Sequence, residues 1–320
     1  ENEGKAVKSC LWHQSCDIYG MIRYLISSTL VLMLLLDGCK KSSDAPHTGG
    51  STDTTYTGGG TQPPATSSKK GADFNVYTQY GSYEANVVNL KAFWYYTWGT
   101  LVPVPTPQNC EFVSMFWGSG NMTDANISAI QQSKAQGTVK YVLGFNEPDR
   151  SDQSNMTVSQ ALAFWPKLES LGLPLGSPAT SSPTVQWFSD FMDSATAQKR
   201  RVDFICVHMY GGTDENNFVQ TLQNVYNKYH LPIWITEFAT ADWNASTPSA
   251  NQYTASDALG FMQRLLPKLD GLTFVQRYSW FSGAPTDAAL WPSALIGSDG
   301  KLTTLGQWYS NYQPNTAIKP

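Results

Sequence analysis

Glu147 and Glu237 are the residues of this chain best placed to do chemistry. Each ends an apolar, β-leaning run. Val139-Lys140-Tyr141-Val142-Leu143 leads into Gly144-Phe145-Asn146-Glu147-Pro148-Asp149, and Leu231-Pro232-Ile233 leads into Trp234-Ile235-Thr236-Glu237-Phe238-Ala239. A carboxylate at the end of a buried strand is costly unless it is paired, hydrogen-bonded or facing a wet cleft. Two of them in one domain are the minimum equipment for cleaving a glycosidic bond, one as acid/base and one as nucleophile or base. The plainer readings are a helix N-terminal carboxylate beside Pro148 for Glu147, and a buried ion-pair partner for Glu237. The four histidines show no metal-ligand spacing, so no metal and no cofactor is expected.

The elements that must position this pair alternate along the chain. Strand-like runs lie at 74–79, 92–98, 112–117, 140–146, 173–178, 203–210, 233–238 and 274–281, with helical patterns at 124–136, 158–171, 184–196, 217–229 and 256–269. Asp124 and Ser256 are expected N-caps, and Gly137 and Gly172 are expected to stop helices. Alternation of this kind implies a parallel sheet with right-handed crossovers. Eight units in roughly 245 residues fit an α/β (β/α)8 TIM barrel forming a single catalytic domain over 73–316. The rival, an open doubly wound sheet, normally carries a glycine-rich first turn, and none follows residues 74–79. In a barrel, strand C-termini face the active site, which sets Glu147 and Glu237 at the ends of the fourth and seventh strands.

Composition narrows the partners. The 320 residues carry a formal charge of −4, 14% charged residues and 13% aromatics, with eleven Trp and sixteen Tyr. An acidic chain without a basic stripe argues against nucleic acid, whereas flat apolar rings suit stacking against sugar faces or filling a core. Residues 1–20 read as an upstream extension of no assigned function. Residues 21–38 read as a lipoprotein signal peptide: Met21-Ile22-Arg23 precedes an apolar run from Tyr24 to Leu36, too short to span a bilayer. Leu36-Asp37-Gly38-Cys39 resembles a lipobox, which makes Cys39 the expected lipidation site and an N-terminal lipid anchor the expected contact with a membrane. Residues 39–72, rich in Lys, Ser, Thr, Gly and Pro, read as a flexible tether. The expected product is an exported, membrane-anchored lipoprotein at an outer membrane or cell surface, and a monomer. Cys110 and Cys206 are expected to be buried free thiols.

Five blocks in order carry a family resemblance: residues 112–118, 143–149, 202–211, 233–239 and 277–281. Together they resemble glycoside hydrolase family 128, a clan A family of endo-β-1,3-glucanases, over residues 74–312 and including the closing run 300–306. The resemblance implies that Glu147 is the general acid/base and Glu237 the nucleophile of a retaining, double-displacement reaction on β-1,3-glucans such as laminarin or curdlan. It also implies that Asn146 hydrogen-bonds the sugar 2-hydroxyl. Met209 stands where the family more often has Trp.

The local pattern adds further candidates for substrate binding. His208 and Tyr210 share strand parity and should both point into the barrel. Tyr210 is expected to donate a hydrogen bond to Glu237, and His208 is either a satisfied core histidine or a catalytic helper. Trp117, Trp280 and Trp98, at the ends of the third, eighth and second strands, are either platforms for glucose units or core packing. Two other functions stay open. One is another clan A polysaccharidase, acting on β-1,4-mannan, xylan or mixed-linkage glucan. The other is a non-catalytic surface glycan-binding lipoprotein, which needs the aromatic platforms but has no use for two strand-end carboxylates.

Overall fold

The computed structural model describes residues 68–319. The upstream extension, the signal peptide, Cys39 and the tether up to residue 67 lie outside the described residues. Parallel strands run in the order β3-β2-β1-β8-β7-β6 in one sheet and β4-β5 in a second. Their ranges are β1 Lys70–Asp73, β2 Trp94–Tyr96, β3 Glu111–Phe112, β4 Ser114–Met115, β5 Val142–Leu143, β6 Ile205–Gly211, β7 Ile233–Thr240 and β8 Val275–Trp280. β3 and β4 follow one another through Val113, and together they fill the third position of the barrel. Residues 173–178 fill the fifth position by bridges alone, Val142 to Leu175 and Gly176 to Phe204. Pro174 and Pro178 lack the N–H that a continuous ladder needs. The chain still bonds to both neighbours here, with Gly176 N–H donating to Val142 O at 2.9 Å and Ser177 N–H to Phe204 O at 2.9 Å. The eight-stranded (β/α)8 arrangement read from the sequence is therefore the observed fold.

Alternating strand residues divide the core in two. Trp94, Tyr96, Val113, Met115, Leu143, Phe204, Cys206 and Trp234 fill the barrel interior. Their sequence neighbours Tyr95, Phe112, Val142, Ile205, Ile233 and Ile235 pack outward with residues of the helices. Those helices are α1 Tyr83–Asn89, α2 Asp124–Ala135, α3 Val158–Glu169, α4 Gln186–Ala197, α5 Glu215–Tyr229, α6 Ala255–Gly271 and α7 Thr304–Asn311. Among the described residues no helix is long and apolar enough to cross a membrane.

Three local expectations are corrected. The first strand is Lys70–Asp73 and not 74–79, so the barrel begins inside the segment read as tether. Lys70 is fully buried there, and its Nζ donates to Tyr309 O at 2.9 Å and Ser310 O at 3.2 Å. The N-caps are Thr123 and Thr254, each one or two residues earlier than expected. Thr254 forms a reciprocal box with Asp257, and Asp124 instead adds negative charge to the first turn of α2. Helices α1 and α7 were not read at all. By contrast, Gly137 and Gly172 do sit past the ends of α2 and α3 with left-handed φ of 73° and 59°. Cys110 and Cys206 are free thiols, Cys206 buried as expected and Cys110 only half-buried.

Candidate active site

Glu147 is held by a backbone that few residues tolerate. Gly144 passes so close to residues 176–178 that a Cβ there would sit 2.8 Å from Pro178 N. Asn146 N–H donates to Trp117 O at 2.9 Å, and Glu147 itself adopts φ 38°. A non-glycine residue in this region is strained and persists only where its surroundings enforce it. The loop beyond is pinned by Asp149, whose carboxylate accepts from Ser181 N–H at 3.0 Å. Arg150 Nε lies 3.5 Å from Glu147 Oε2.

Glu237 reaches the interior through an irregularity. On β7, Trp234 points in and Ile233 and Ile235 point out, so strict alternation would send Glu237 outward. The pairing with β6 slips at Val207/His208: Ile235 opposes Val207, whereas Glu237, not Thr236, opposes His208. That extra residue is a β-bulge, and it turns Glu237 toward the barrel axis while Phe238 returns to the outer core.

The two carboxylates meet across His208. Its Nδ1 lies 3.0 Å from Glu147 Oε1 and 3.4 Å from Glu237 Oε2. One ligand atom from each of Glu147, His208 and Glu237 lies within 4.8 Å of the other two. Among the described residues they are also the one trio that could share a cation. The imidazole is fully buried, which lowers its pKa, but Glu237 and the bonded Glu147 outweigh burial and raise it overall. Its Nε2 has no partner within the protein.

Glu237 accepts three further hydrogen bonds. Trp98 Nε1 donates to Oε1 at 2.7 Å, Tyr96 OH reaches Oε1 at 3.1 Å and Thr236 O at 3.2 Å, and Tyr210 OH donates to Oε2. Burial first, and the adjacent Glu237 second, push both tyrosine hydroxyls well above their ordinary range, so they act as donors. Beneath them Asp73, at the end of β1, is buried with one oxygen bonded to Ser279 Oγ at 2.9 Å and the other without a partner. Burial, and then the charge of Glu237, raise its carboxyl well above the usual range.

The remaining candidates separate. Asn146 is buried beside the pair, its Nδ2 donating to Gln153 Oε1 at 3.3 Å while its Oδ1 has no protein partner. Trp117 and Trp98 are partly exposed and pack on top of the interior cluster. Trp280 is the correction. It is 0% exposed, its indole N–H donates to Ser293 O at 3.0 Å, and its ring packs on Phe238 and Phe261, the latter on α6. It faces outward and offers no ring to a sugar. Phe281, one residue on, takes the rim position between Trp98 and Tyr210 with ring separations of 5.9 and 5.6 Å.

The arrangement has known relatives. The family described as glycosyl hydrolase catalytic core matches residues 71–309. A subgroup I family 128 endo-β-1,3-glucanase from Amycolatopsis mediterranei, solved with laminaripentaose, is 34% identical, with 77% of this chain and 99% of that one covered and a TM-score of 0.66. This chain belongs to glycoside hydrolase family 128. A subgroup II endo-β-1,3-glucanase of the family, from Sorangium cellulosum, is 26% identical over 78% of this chain and 100% of its own, with a TM-score of 0.63. Alkali-sensitive linkage protein 1 of Schizosaccharomyces pombe is 35% identical over 257 residues, 77% of this chain. The chain spans 45% of that relative's length.

Within this family 128 site, sequence reasoning missed Tyr96, Asp73, Phe281 and Trp243. Tyr96 was signalled by its parity with Trp94 and Trp98. Asp73 was hidden by the misplaced first strand, and Phe281 by the parity error at Trp280. Trp243 lies on the loop after β7, 63% exposed, edge-on to Tyr210 at 5.7 Å. No local pattern distinguished it from an ordinary loop aromatic.

Proposed function

We propose that this chain is a retaining endo-β-1,3-glucanase. The observation that carries the reading is the approach of Glu147 and Glu237, which each offer an oxygen within 4.8 Å of the other's and meet on His208 Nδ1 at 3.0 and 3.4 Å. Retaining enzymes place their carboxyl groups about 5–5.5 Å apart, whereas inverting ones need roughly 6.5–9.5 Å to admit a water. Relatives of known structure solved with laminari-oligosaccharides support the β-1,3 linkage.

In the first step Glu237 attacks the anomeric carbon, the C1–O bond to the leaving sugar breaks, and Glu147 gives its proton to the departing oxygen. In the second, Glu147 takes a proton from water as the water oxygen attacks C1, and the ester bond to Glu237 breaks. Asn146, with a buried Oδ1 that has no protein partner, is suited to accept the 2-hydroxyl of the sugar being transferred. Trp117, and the partly exposed face of Trp98, would stack on neighbouring glucose units. His208 bridges the pair through Nδ1 and Tyr210 orients the nucleophile.

Purified protein is expected to release oligosaccharides from laminarin and curdlan but not from β-1,4-mannan or xylan. A mixed series of short products early in the reaction marks internal cleavage; release of a single small sugar from the outset would mark trimming from an end. The lipid-anchored placement rests on the sequence around Cys39 alone. An intact mass for the Cys39→Ala variant that differs from the unaltered protein only by the substitution would remove it.

A further inference from the structure

The three donors on Glu237 are not distributed evenly, and their distribution separates the two oxygens of the nucleophile. Oε2 faces Glu147, because the same His208 Nδ1 touches both Glu147 Oε1 and Glu237 Oε2. The anomeric carbon must lie between the two carboxylates, so Oε2 is the oxygen that faces it. Oε1 faces β2, where it receives Trp98 Nε1 at 2.7 Å and has Tyr96 OH at 3.1 Å, a hydroxyl whose one proton is shared with Thr236 O at 3.2 Å. Neither donor approaches Oε2 in this way.

We propose that Trp98 and Tyr96 form a two-donor clamp on Oε1, the oxygen of Glu237 that does not attack, which makes Trp98 a positioning residue for the nucleophile as well as a ring at the cleft. The inference rests on the assignment of Glu237 as nucleophile. During the first step the C1–Oε2 bond forms and the leaving C1–O bond breaks. The carboxylate becomes an ester whose carbonyl oxygen is Oε1, still held by the same two N–H and O–H groups. During the second step the C1–Oε2 bond breaks, and the returning negative charge is again shared with the clamped oxygen. Donors fixed before the reaction cost no reorganisation as the charge moves, which is what makes them effective.

The local backbone supports this role. Trp98 is held at φ 56°, a conformation an indole-bearing residue rarely adopts. The next residues are tied to β4: Met115 N–H donates to Gly99 O at 3.1 Å, Thr100 Oγ1 donates to Met115 O at 2.9 Å, and Ser114 Oγ donates to Thr100 O at 2.7 Å. A sugar platform alone does not require its N–H to point at a carboxylate. Strain held by this many surrounding bonds fits a side chain whose N–H must be aimed.

Trp98→Phe keeps an aromatic face and removes the N–H. On laminarihexaose it is expected to lower kcat about 100-fold with KM within about twofold, the effect of losing one donor to a developing charge. Tyr96→Phe removes the second donor from the buried side, where no substrate reaches, and is expected to lower kcat about tenfold, again without a change in KM. It tests the clamp even where Trp98→Phe fails to fold. A rise in KM at unchanged kcat for Trp98→Phe, together with unchanged kinetics for Tyr96→Phe, overturns the clamp. The nucleophile assignment is tested separately by adding azide to Glu237→Ala with an aryl β-laminaribioside. Formation of the α-glycosyl azide supports it, and its absence alongside full activity removes the reading on which the clamp rests.

Discussion

At the floor of the barrel, lysine amines meet carbonyl oxygens at helix ends, whereas at the rim buried carboxylates share a few donors. Lys69 Nζ donates to Leu269 O, Asp270 O and Leu272 O at the end of α6. Its neighbour Lys70 donates to Tyr309 O and Ser310 O at the end of α7, and Lys134 closes α3 through Leu171 O and Gly172 O. Each amine adds a donor to carbonyls at a helix C-terminus, where a positive charge also suits the negative end of the helix dipole. The rim does the reverse. Two carboxylates approach one imidazole, Glu147 and Trp98 hold left-handed φ, and Asp73 Oδ1, Asn146 Oδ1 and His208 Nε2 find no partner in the protein. The contrast teaches where each end spends its interactions. The floor is arranged for stability, and the rim keeps strained backbone and polar atoms without partners.

Substitutions can break this contrast. The largest effect is expected from Glu237→Ala, which should reduce glucan hydrolysis on the order of 10⁴-fold or more. Its thermal midpoint should be unchanged or raised, since a crowded buried charge is removed. A large drop in midpoint would mean that the rim also carries the fold. Lys70→Met should do the opposite, taking the side-chain donor from Ser310 O and leaving Tyr309 O only the Tyr312 N–H, and lowering stability by about 1–3 kcal/mol in denaturant titration. Activity per folded molecule should stay the same, and a loss of kcat would contradict the division of labour.

Lys70 also shows why part of the fold was not legible. Burial, and then the charge of Lys91, lower its pKa to about 7, and nothing in a Lys-Lys pair following a Ser/Thr run announces a strand. The partners that make burial tolerable, Tyr309 and Ser310, lie far along the chain. Glu147 and Glu237 were legible because a charge abutting an apolar run is a local signal. The route by which Glu237 turns inward was not, because a bulge between β6 and β7 depends on how two strands pair and leaves no mark on one of them. Trp280 was misread for a related reason: its parity is set by the β8 pairings with β1 and β7, and its neighbour Phe281 holds the rim position.

Trp280→Phe tests that correction. It should leave glucan hydrolysis unchanged and lower stability by about 1–2 kcal/mol through the lost bond to Ser293 and lost volume. A rise in KM would return Trp280 to the cleft. The smallest effect concerns Asp73. Its carboxyl is raised in the folded protein above the ordinary 3.8, so the native state holds a proton that the unfolded chain releases. The stability linked to it is fully present below about pH 3.8 and is lost as pH rises toward the folded value. Asp73→Asn removes that dependence. Its midpoint relative to the unaltered protein should therefore climb steadily from pH 4 to pH 8, and a constant gap across that range would mean that Asp73 is ionised in the fold.

The central claim, that Glu147 and Glu237 act from opposite sides of one anomeric carbon through a covalent ester, is tested most directly by the configuration of the newly formed reducing end. Proton NMR of laminarihexaose in the first minutes of hydrolysis, before mutarotation, should show the β-anomer appearing first and the α-anomer growing in later. The α-anomer appearing first would contradict the account.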